Sequence, residues 1–415
     1  MKKIVKLTFL LQILALGLLA QNVQNTPYSR FGIGELNAAF TPSLSAMGSV
    51  SAGVYNPYIV NYNNPASYAF GFRQRFIMQT GLSHITNEMK TAQATQRTNA
   101  SNISHFVIGF PVSSWWGASI GILPYSSVSY AFSDTWQEPS ANLNFQGSGG
   151  LNRFYIGNAF QLHKAISIGA NINYLFGTLT TEREVLFADN ALLNARENEQ
   201  TSISGMYYDF GAMFKFKREA WTYAGSFTVD NGNEVSAERT LLSETFRLNN
   251  FIEVVEDTFV NRIEEGVLML PKGFSVGFSL SNNKWLIAAD YGIKNWSDFA
   301  IFGESDALEN SSRLAFGVEL TPDKKALNKY HKMIRYRVGA YTANTYLSLR
   351  NQQLQENVLS FGFGFPLRRS GSLLNISAEV GKRGTLEEGL IEDNFARFKL
   401  GLVLSDIWFI KRKFD

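Results

Sequence analysis

The chain has 415 residues, of which 45% are hydrophobic and 14% aromatic, while only 18% are charged. It contains no cysteine, which excludes a disulfide scaffold, a thiolate metal site, a cysteine nucleophile and a lipoprotein anchor. The low fraction of charged residues argues against a disordered chain and against a nucleic-acid binder. The apolar residues must therefore lie in a protein core or in lipid.

The first twenty residues are typical of a secretory signal peptide. Lys2, Lys3 and Lys6 precede an almost unbroken apolar run, 7–20, that is too short to span a bilayer. The alternative interpretation is an N-terminal membrane anchor. Cleavage near Ala20 removes three basic residues and leaves 35 basic and 35 acidic ones, so the mature chain is neutral. We therefore expect a Sec-exported protein with no nucleic-acid partner.

The remaining chain alternates between apolar and polar residues with a period of two. In 206–216, for example, Met, Tyr, Phe, Ala, Phe and Phe alternate with Tyr, Asp, Gly, Met and Lys. Such alternation predicts strands with one apolar face. About fourteen stretches show it, and many exceed the ~5–6 residues of a soluble strand. The sequence predicts an all-β fold, a transmembrane antiparallel β-barrel in a Gram-negative outer membrane. The alternative is a secreted sandwich or propeller.

The predicted connections are short and basic on one side of the barrel and long and acidic on the other. The longest are 133–150, 182–199 and 236–270. Short turns face the periplasm in barrels of this kind, so the acidic loops should face outward. One interpretation is that they meet divalent cations that bridge lipopolysaccharide phosphates. The interpretation we favour is that the charges keep the solvated ends soluble.

The segment 21–71 between the signal peptide and the first strand does not alternate and is rich in turn formers. We predict that it folds into the lumen as a hatch, which leaves 72–415 for the barrel. The alternative is a periplasmic extension that binds something else.

Two motifs in this segment, Ala46-Met47-Gly48 and Asn64-Pro65-Ala66, resemble the hatch of the FadL-type outer-membrane transporters of long-chain fatty acids and other hydrophobic compounds. Similar stretches occur at 270–279, 285–299, 313–319, 335–339 and 359–364. The resemblance implies a fourteen-stranded barrel closed by an N-terminal hatch, with a hydrophobic small molecule as its ligand. The candidate hatch residues are Arg30, Glu35, Met47, Gly48, Asn64, Pro65 and Ala66.

In barrels of the FadL type, a kink in the third strand forms a lateral exit into the membrane. Here Pro124 lies inside the third predicted strand, where it removes a backbone donor and forces a bend. Leu123, Pro124 and Tyr125 are therefore the candidate lateral exit. The alternative is a bulge near the strand end without a function.

Four apolar residues in the loop 236–270 have helical spacing: Ile252, Val255, Phe259 and Ile263. They predict an amphipathic helix over the barrel mouth that could capture an apolar ligand. The alternative, which we favour, is that this stripe packs on neighbouring loops.

Charged residues occupy inward-facing strand positions, which is unusual because buried charges must be paired or hydrated. We expect them to tie the hatch to the wall; the alternative is a polar ligand pathway. The candidates are Asp290, Lys294, Arg313, Glu319, Arg335 and Arg337.

The sequence contains motifs that occur in enzymes, but they lie in the wrong structural context for catalysis. Gly273-Phe-Ser-Val-Gly277 matches a nucleophile elbow but lies inside an alternating strand, and the four histidines lack metal-ligand spacing. We predict no catalytic residue, metal or cofactor.

The chain ends, 25–34 and 408–415, resemble outer-membrane proteins of the Bacteroidota. There, FadL-like barrels also serve as accessory subunits of the type 9 secretion translocon. The alternative function is thus a plug or accessory subunit of an outer-membrane secretion or assembly complex. Its partner would be a large outer-membrane barrel, whereas a transporter would meet only outer-membrane lipid, lipopolysaccharide and its ligand.

Overall fold

A computed structural model describes residues 26–37, 40–72, 74–189, 191–249, 252–306, 308–326, 329–367 and 371–408. The predicted signal peptide and the tail 409–415 lie outside these ranges. The described strands join into one antiparallel sheet. None of the helices in these ranges is long and apolar enough to cross a membrane.

Fourteen strands close into an antiparallel barrel, because the last of them pairs with the first. They are β2 (Arg75–Lys90), β3 (Thr95–Pro111), β4 (Trp116–Gln137), β5 (Ser140–His163), β6 (Ile166–Phe187), β7 (Asn194–Arg218), β8 (Trp221–Asp230), β11 (Gly273–Ser281), β12 (Trp285–Lys294), β14 (Ser311–Leu320), β15 (Arg335–Leu349), β16 (Gln352–Pro366), β17 (Leu373–Arg383) and β18 (Glu392–Ile407). The predicted fourteen-stranded barrel is confirmed.

The outer face of the barrel is apolar where a membrane would contact it. Along β7, Met206, Phe210 and Phe214 point outward and are exposed by 54%, 48% and 50%, while Tyr207 and Met213 are buried inside. Surface of this kind is stable only in contact with lipid or another protein. The alternation recognised in the sequence is therefore the alternation between lipid and lumen.

Four further strands lie outside the regular barrel: β1 (Glu35–Leu36), β9 (Glu234–Asn249), β10 (Ile252–Met269) and β13 (Ala300–Ile301). β7 pairs with β8 through residues 209–218, the half nearer the short turns. It pairs with β9 through residues 194–204, the half farther from the short turns. β9 and β10 thus form a hairpin that continues the wall beyond β8, away from the short turns.

The prediction of loops at 133–150 and 182–199 was wrong, because β4 and β5, and likewise β6 and β7, continue far beyond the membrane band. Most residues of these extensions are polar, and apolar residues alternate only over a short stretch of β5, at Ala141, Leu143 and Phe145, so the pattern in the sequence is weak.

The predicted helix in 236–270 was also wrong, because this segment is the β9–β10 hairpin. β10 contains two bulges, at Glu256 and Phe259, each of which inserts one unpaired residue. The inserted residues interrupt the period of two and leave apolar residues four apart. The spacing of Val255, Phe259 and Ile263 therefore imitates a helix.

The segment 26–72 fills the lumen, as the predicted hatch requires. It contains a 3-10 turn, Pro27–Arg30, and two short helices, Pro42–Ser45 and Ser67–Gly71. Val50, Val54 and many other apolar side chains are fully buried against the wall. The hatch therefore belongs to the hydrophobic core of the protein.

Candidate transport site in the barrel

The first hatch motif is held against two wall glycines. Gly48 has a positive φ of 67°, and a Cβ there would lie 2.5 Å from the carbonyl oxygen of Phe316. A Cβ on Gly339 would overlap the backbone of Met47 and Gly48, and one on Gly317 would overlap the Met47 carbonyl oxygen. Glycines on both sides thus permit contact between backbones.

The second motif is fixed by hydrogen bonds and by another wall glycine. Asn64 Nδ2 donates to the Ala52 carbonyl oxygen at 2.5 Å, and Asn64 Oδ1 accepts from the Ala66 amide at 3.1 Å. Pro65 packs against Gly169, where a Cβ would lie 2.6 Å from the Pro65 carbonyl carbon. The motif therefore shapes the hatch and fits it to the wall.

Two of the six predicted lumen charges bind the hatch backbone. Asp290 Oδ2 accepts from the amides of Ser51 and Ala52, the latter at 2.7 Å. Arg313 Nη2 donates to the Gly48 carbonyl oxygen at 2.5 Å. These wall side chains satisfy buried backbone groups of the hatch, which would otherwise cost free energy in the interior.

The charges nearer the short turns pair mainly with one another. Arg337 Nε lies 2.8 Å from Glu319 Oε2, and Arg335 Nη1 lies 3.8 Å from Glu319 Oε1. The Arg335 guanidinium also stands 4.7 Å above the ring of Tyr58 in the hatch. This cluster therefore joins β14 to β15 and touches the plug at one point.

A buried ion network, absent from the sequence prediction, holds the start of the hatch. Arg383 donates to Glu35 at 2.8 Å and to Asp393 at 2.9 Å. Its guanidinium also lies 5.5 Å from the centre of the Tyr28 ring. Glu35 is thus tied to β17 and β18, whereas Arg30, the other charged hatch candidate, is exposed.

The barrel wall is interrupted at the predicted lateral exit. β3 pairs with β4 only from Pro111 to Phe106, and the last matched pair is Phe106 with Ile122. Two residues further along β4 lies Pro124, followed by a bulge at Tyr125. Beyond that point β3 keeps its pairing with β2, and β4 keeps its pairing with β5. A gap between β3 and β4 is the result.

Two cavities meet at this gap. One of about 340 Å³ lies between the strands and is lined by Asn102, Ile103, Leu123 and Pro124. A second cavity of about 400 Å³ occupies the lumen and shares Pro124 with the first. The four residues predicted for ligand capture in 252–263 line neither cavity.

The hatch itself covers the gap from inside. β1 pairs with the free edge of β4, with Leu36 opposite Ser126, and the Asn37 amide donates to the Tyr125 carbonyl oxygen at 3.0 Å. β1 therefore provides the partner that β3 does not supply.

The lining of the lumen cavity is strongly charged. Lys294 Nζ lies 2.6 Å from Asp230, and Arg397 Nη1 lies 2.7 Å from Glu379. Five acidic and five basic side chains face this cavity: Glu35, Asp209, Asp230, Asp290, Glu356, Arg153, Lys294, Arg313, Arg383 and Arg397. Within the described ranges, no group of His, Asp and Glu has the arrangement of a metal site.

The closed antiparallel wall, its apolar outer face and the enclosed hatch define an outer-membrane β-barrel of the plugged class. The family model described as BamG matches residues 1–415, so the chain belongs to the BamG family.

Solved structures of hydrophobic-compound channels share this fold. The toluene transporters TodX of Pseudomonas putida and TbuX of Ralstonia pickettii each give a TM-score of 0.57, with 14% and 12% identity. The alignments cover 91% and 89% of this chain, and 100% and 98% of the respective relatives. A FadL homologue of Pseudomonas aeruginosa gives 0.57 at 10% identity, covering 89% of this chain and 98% of that one.

No curated protein sequence matches the chain. At these low identities the solved structures show a common fold, and the resemblance to FadL-type barrels is confirmed at that level. The assignment to the Bacteroidota stays a prediction.

Proposed function

We propose that the protein takes up a small hydrophobic molecule and releases it sideways into the outer membrane. The observation that carries this proposal is the gap between β3 and β4, which holds one cavity and adjoins a second cavity in the lumen. A ligand enters the lumen from the acidic side, reaches the cavity at Pro124 and leaves between the strands. β1 must separate from β4 for this exit, because it covers the gap. The shared fold of the toluene transporters TodX and TbuX supports the same ligand class.

Filling the gap tests the proposal. Asn102 faces the cavity between the strands, and Asn102→Trp should obstruct it. We expect cells with this variant to take up toluene and a fluorescent dodecanoic acid no faster than cells that lack the protein. Asn99→Trp is the matched control, since Asn99 is exposed on the same strand and lies outside the cavity. Undiminished uptake by Asn102→Trp would contradict the proposal.

A second candidate function is that of an accessory subunit in an outer-membrane secretion or assembly complex. The observation in its favour is the lining of the lumen, because ten ionisable side chains must stay solvated or paired beside any apolar ligand. Purification in a gentle detergent separates the two functions. A large barrel partner in a one-to-one ratio supports the subunit, and a lone monomer with bound lipid supports the transporter.

A further inference from the structure

The upper part of β10 is a free strand edge. β10 pairs with β9 along its whole length, but on its other side the described residues pair with it only at the base, where Leu268 and Met269 meet β13. The Phe302 amide adds one hydrogen bond to the Val267 carbonyl oxygen. Backbone groups of 252–266 on this side therefore face solvent, which makes them available to another strand.

The same edge carries large apolar side chains that no part of the described chain covers. Ile252, Phe259 and Ile263 are exposed by 67%, 60% and 66%, and Val255 by 48%. These residues lie beyond the part of the wall that contacts lipid. The outward-facing residues of β7 at the same height, which precede Met206 in the sequence, are polar. Apolar residues beside a free edge favour strand addition, in which the partner's main chain binds and its alternate side chains are recognised.

The hairpin is held rigid without a partner. Arg196 Nη1 lies 3.0 Å from Glu253 Oε2, and Arg239 Nη2 lies 2.7 Å from Glu264 Oε2. The hydrogen bond from Arg239 lowers the pKa of the Glu264 carboxyl, so this pair stays charged at neutral pH. A rigid edge loses little conformational entropy when a strand adds to it.

The charge of β10 restricts the chemistry of its partner. The strand holds five acidic residues and a single basic one, Arg262. Within the described residues, Asp257 and Glu265 take part in no ion pair, although the other three acids do. A second copy of this strand or a phosphate-rich lipid would be repelled, whereas a basic peptide segment would be attracted.

We infer that the β10 edge binds an extended, basic segment of another protein, which adds one strand to the projecting wall. Main-chain hydrogen bonds along 252–266 provide affinity, and the apolar and acidic side chains provide specificity. This surface is independent of the lumen, so the inference does not rest on the proposed transport function.

Site-specific photocrosslinking in living cells tests the inference. A benzophenone amino acid placed at Phe259 or at Ile263 should crosslink to one protein, through an extended segment rich in Lys and Arg. The same amino acid at Leu386, which is 44% exposed on another loop, should not give this adduct.

Charge reversal then tests whether the acidic residues of β10 are responsible for the binding. In the background Asp257→Lys/Glu265→Lys, the yield of the adduct should fall about tenfold. The matched background Glu387→Lys/Glu388→Lys changes exposed acids elsewhere and should leave the yield unchanged. Crosslinks only to lipopolysaccharide, only to a second copy of the chain or to nothing would overturn the inference, as would an adduct that survives the reversal at β10.

Discussion

Replacing Arg383 by alanine is expected to destabilise the protein by about 3–5 kcal/mol, the cost of leaving buried charges without their partner. Arg383 is 7% exposed and is shared by two carboxylates, Glu35 and Asp393, of which Asp393 is fully buried. Both carboxylates lose their cation in the variant. The free energy of unfolding in urea, measured in lipid vesicles, should show the loss.

The loss should begin at the hatch, because Glu35 connects its first strand to β17. Limited proteolysis should therefore cut near 26–37 in Arg383→Ala but not in the unmodified protein. Arg97→Ala is the control, because the Arg97 side chain is 75% exposed in its pair with Glu88. Exposed pairs contribute little to stability, so this variant should unfold with the parent. Equal stability of the two variants would show that the buried network is dispensable.

Replacing Gly339 by alanine is expected to displace the hatch and open the barrel to ions. The new Cβ would overlap the backbone of Met47 and Gly48, which cannot rotate away as a side chain would. Overpacking typically costs about 1–3 kcal/mol, and here the strain falls on the hatch rather than on the wall pairing. We expect single-channel conductance in planar bilayers to rise well above that of the parent protein.

Gly292→Ala is the matched control for this variant. Gly292 also lies on a wall strand, β12, but the nearest atom to its added Cβ is the rotatable hydroxyl of Ser275. Its conductance should equal that of the parent. If Gly339→Ala also behaves like the parent, the contact of the hatch with the wall is not what closes the lumen.

The sequence predicted those parts of the fold in which the two faces of a strand meet different solvents. Alternation is strong where lipid lies outside, as in 206–216, and it weakens in the projecting strands, where most residues are polar. For this reason the barrel was predicted correctly, while the extensions of β4 to β7 were predicted as loops. The bulges of β10 then produced a false helical spacing.

Parts of the candidate site were recognisable in the same way. Pro124 is visible locally because proline cannot donate to a ladder, and the interruption of β3–β4 pairing does lie beside it. The cover of the gap was not predictable, since β1 has only two residues and no periodicity. Arg383 lies four residues after Glu379 in the same strand, so the period of two places both side chains on the inner face. The sequence could therefore have indicated Arg383 as a buried charge. Its partner Glu35 lies 348 residues away, and only the fold brings them together.

The central claim is that β1 must leave β4 before a ligand can pass through the gap, and a reversible lock tests it most directly. Leu36 and Ser126 are register partners, a separation that suits a disulfide, and the natural chain has no cysteine to interfere. Leu36→Cys/Ser126→Cys should block uptake of toluene into proteoliposomes when oxidised and restore it when reduced. Thr86→Cys/Asn99→Cys, a register pair between β2 and β3, should transport in both states. Equal uptake by the oxidised and reduced lock would contradict the account.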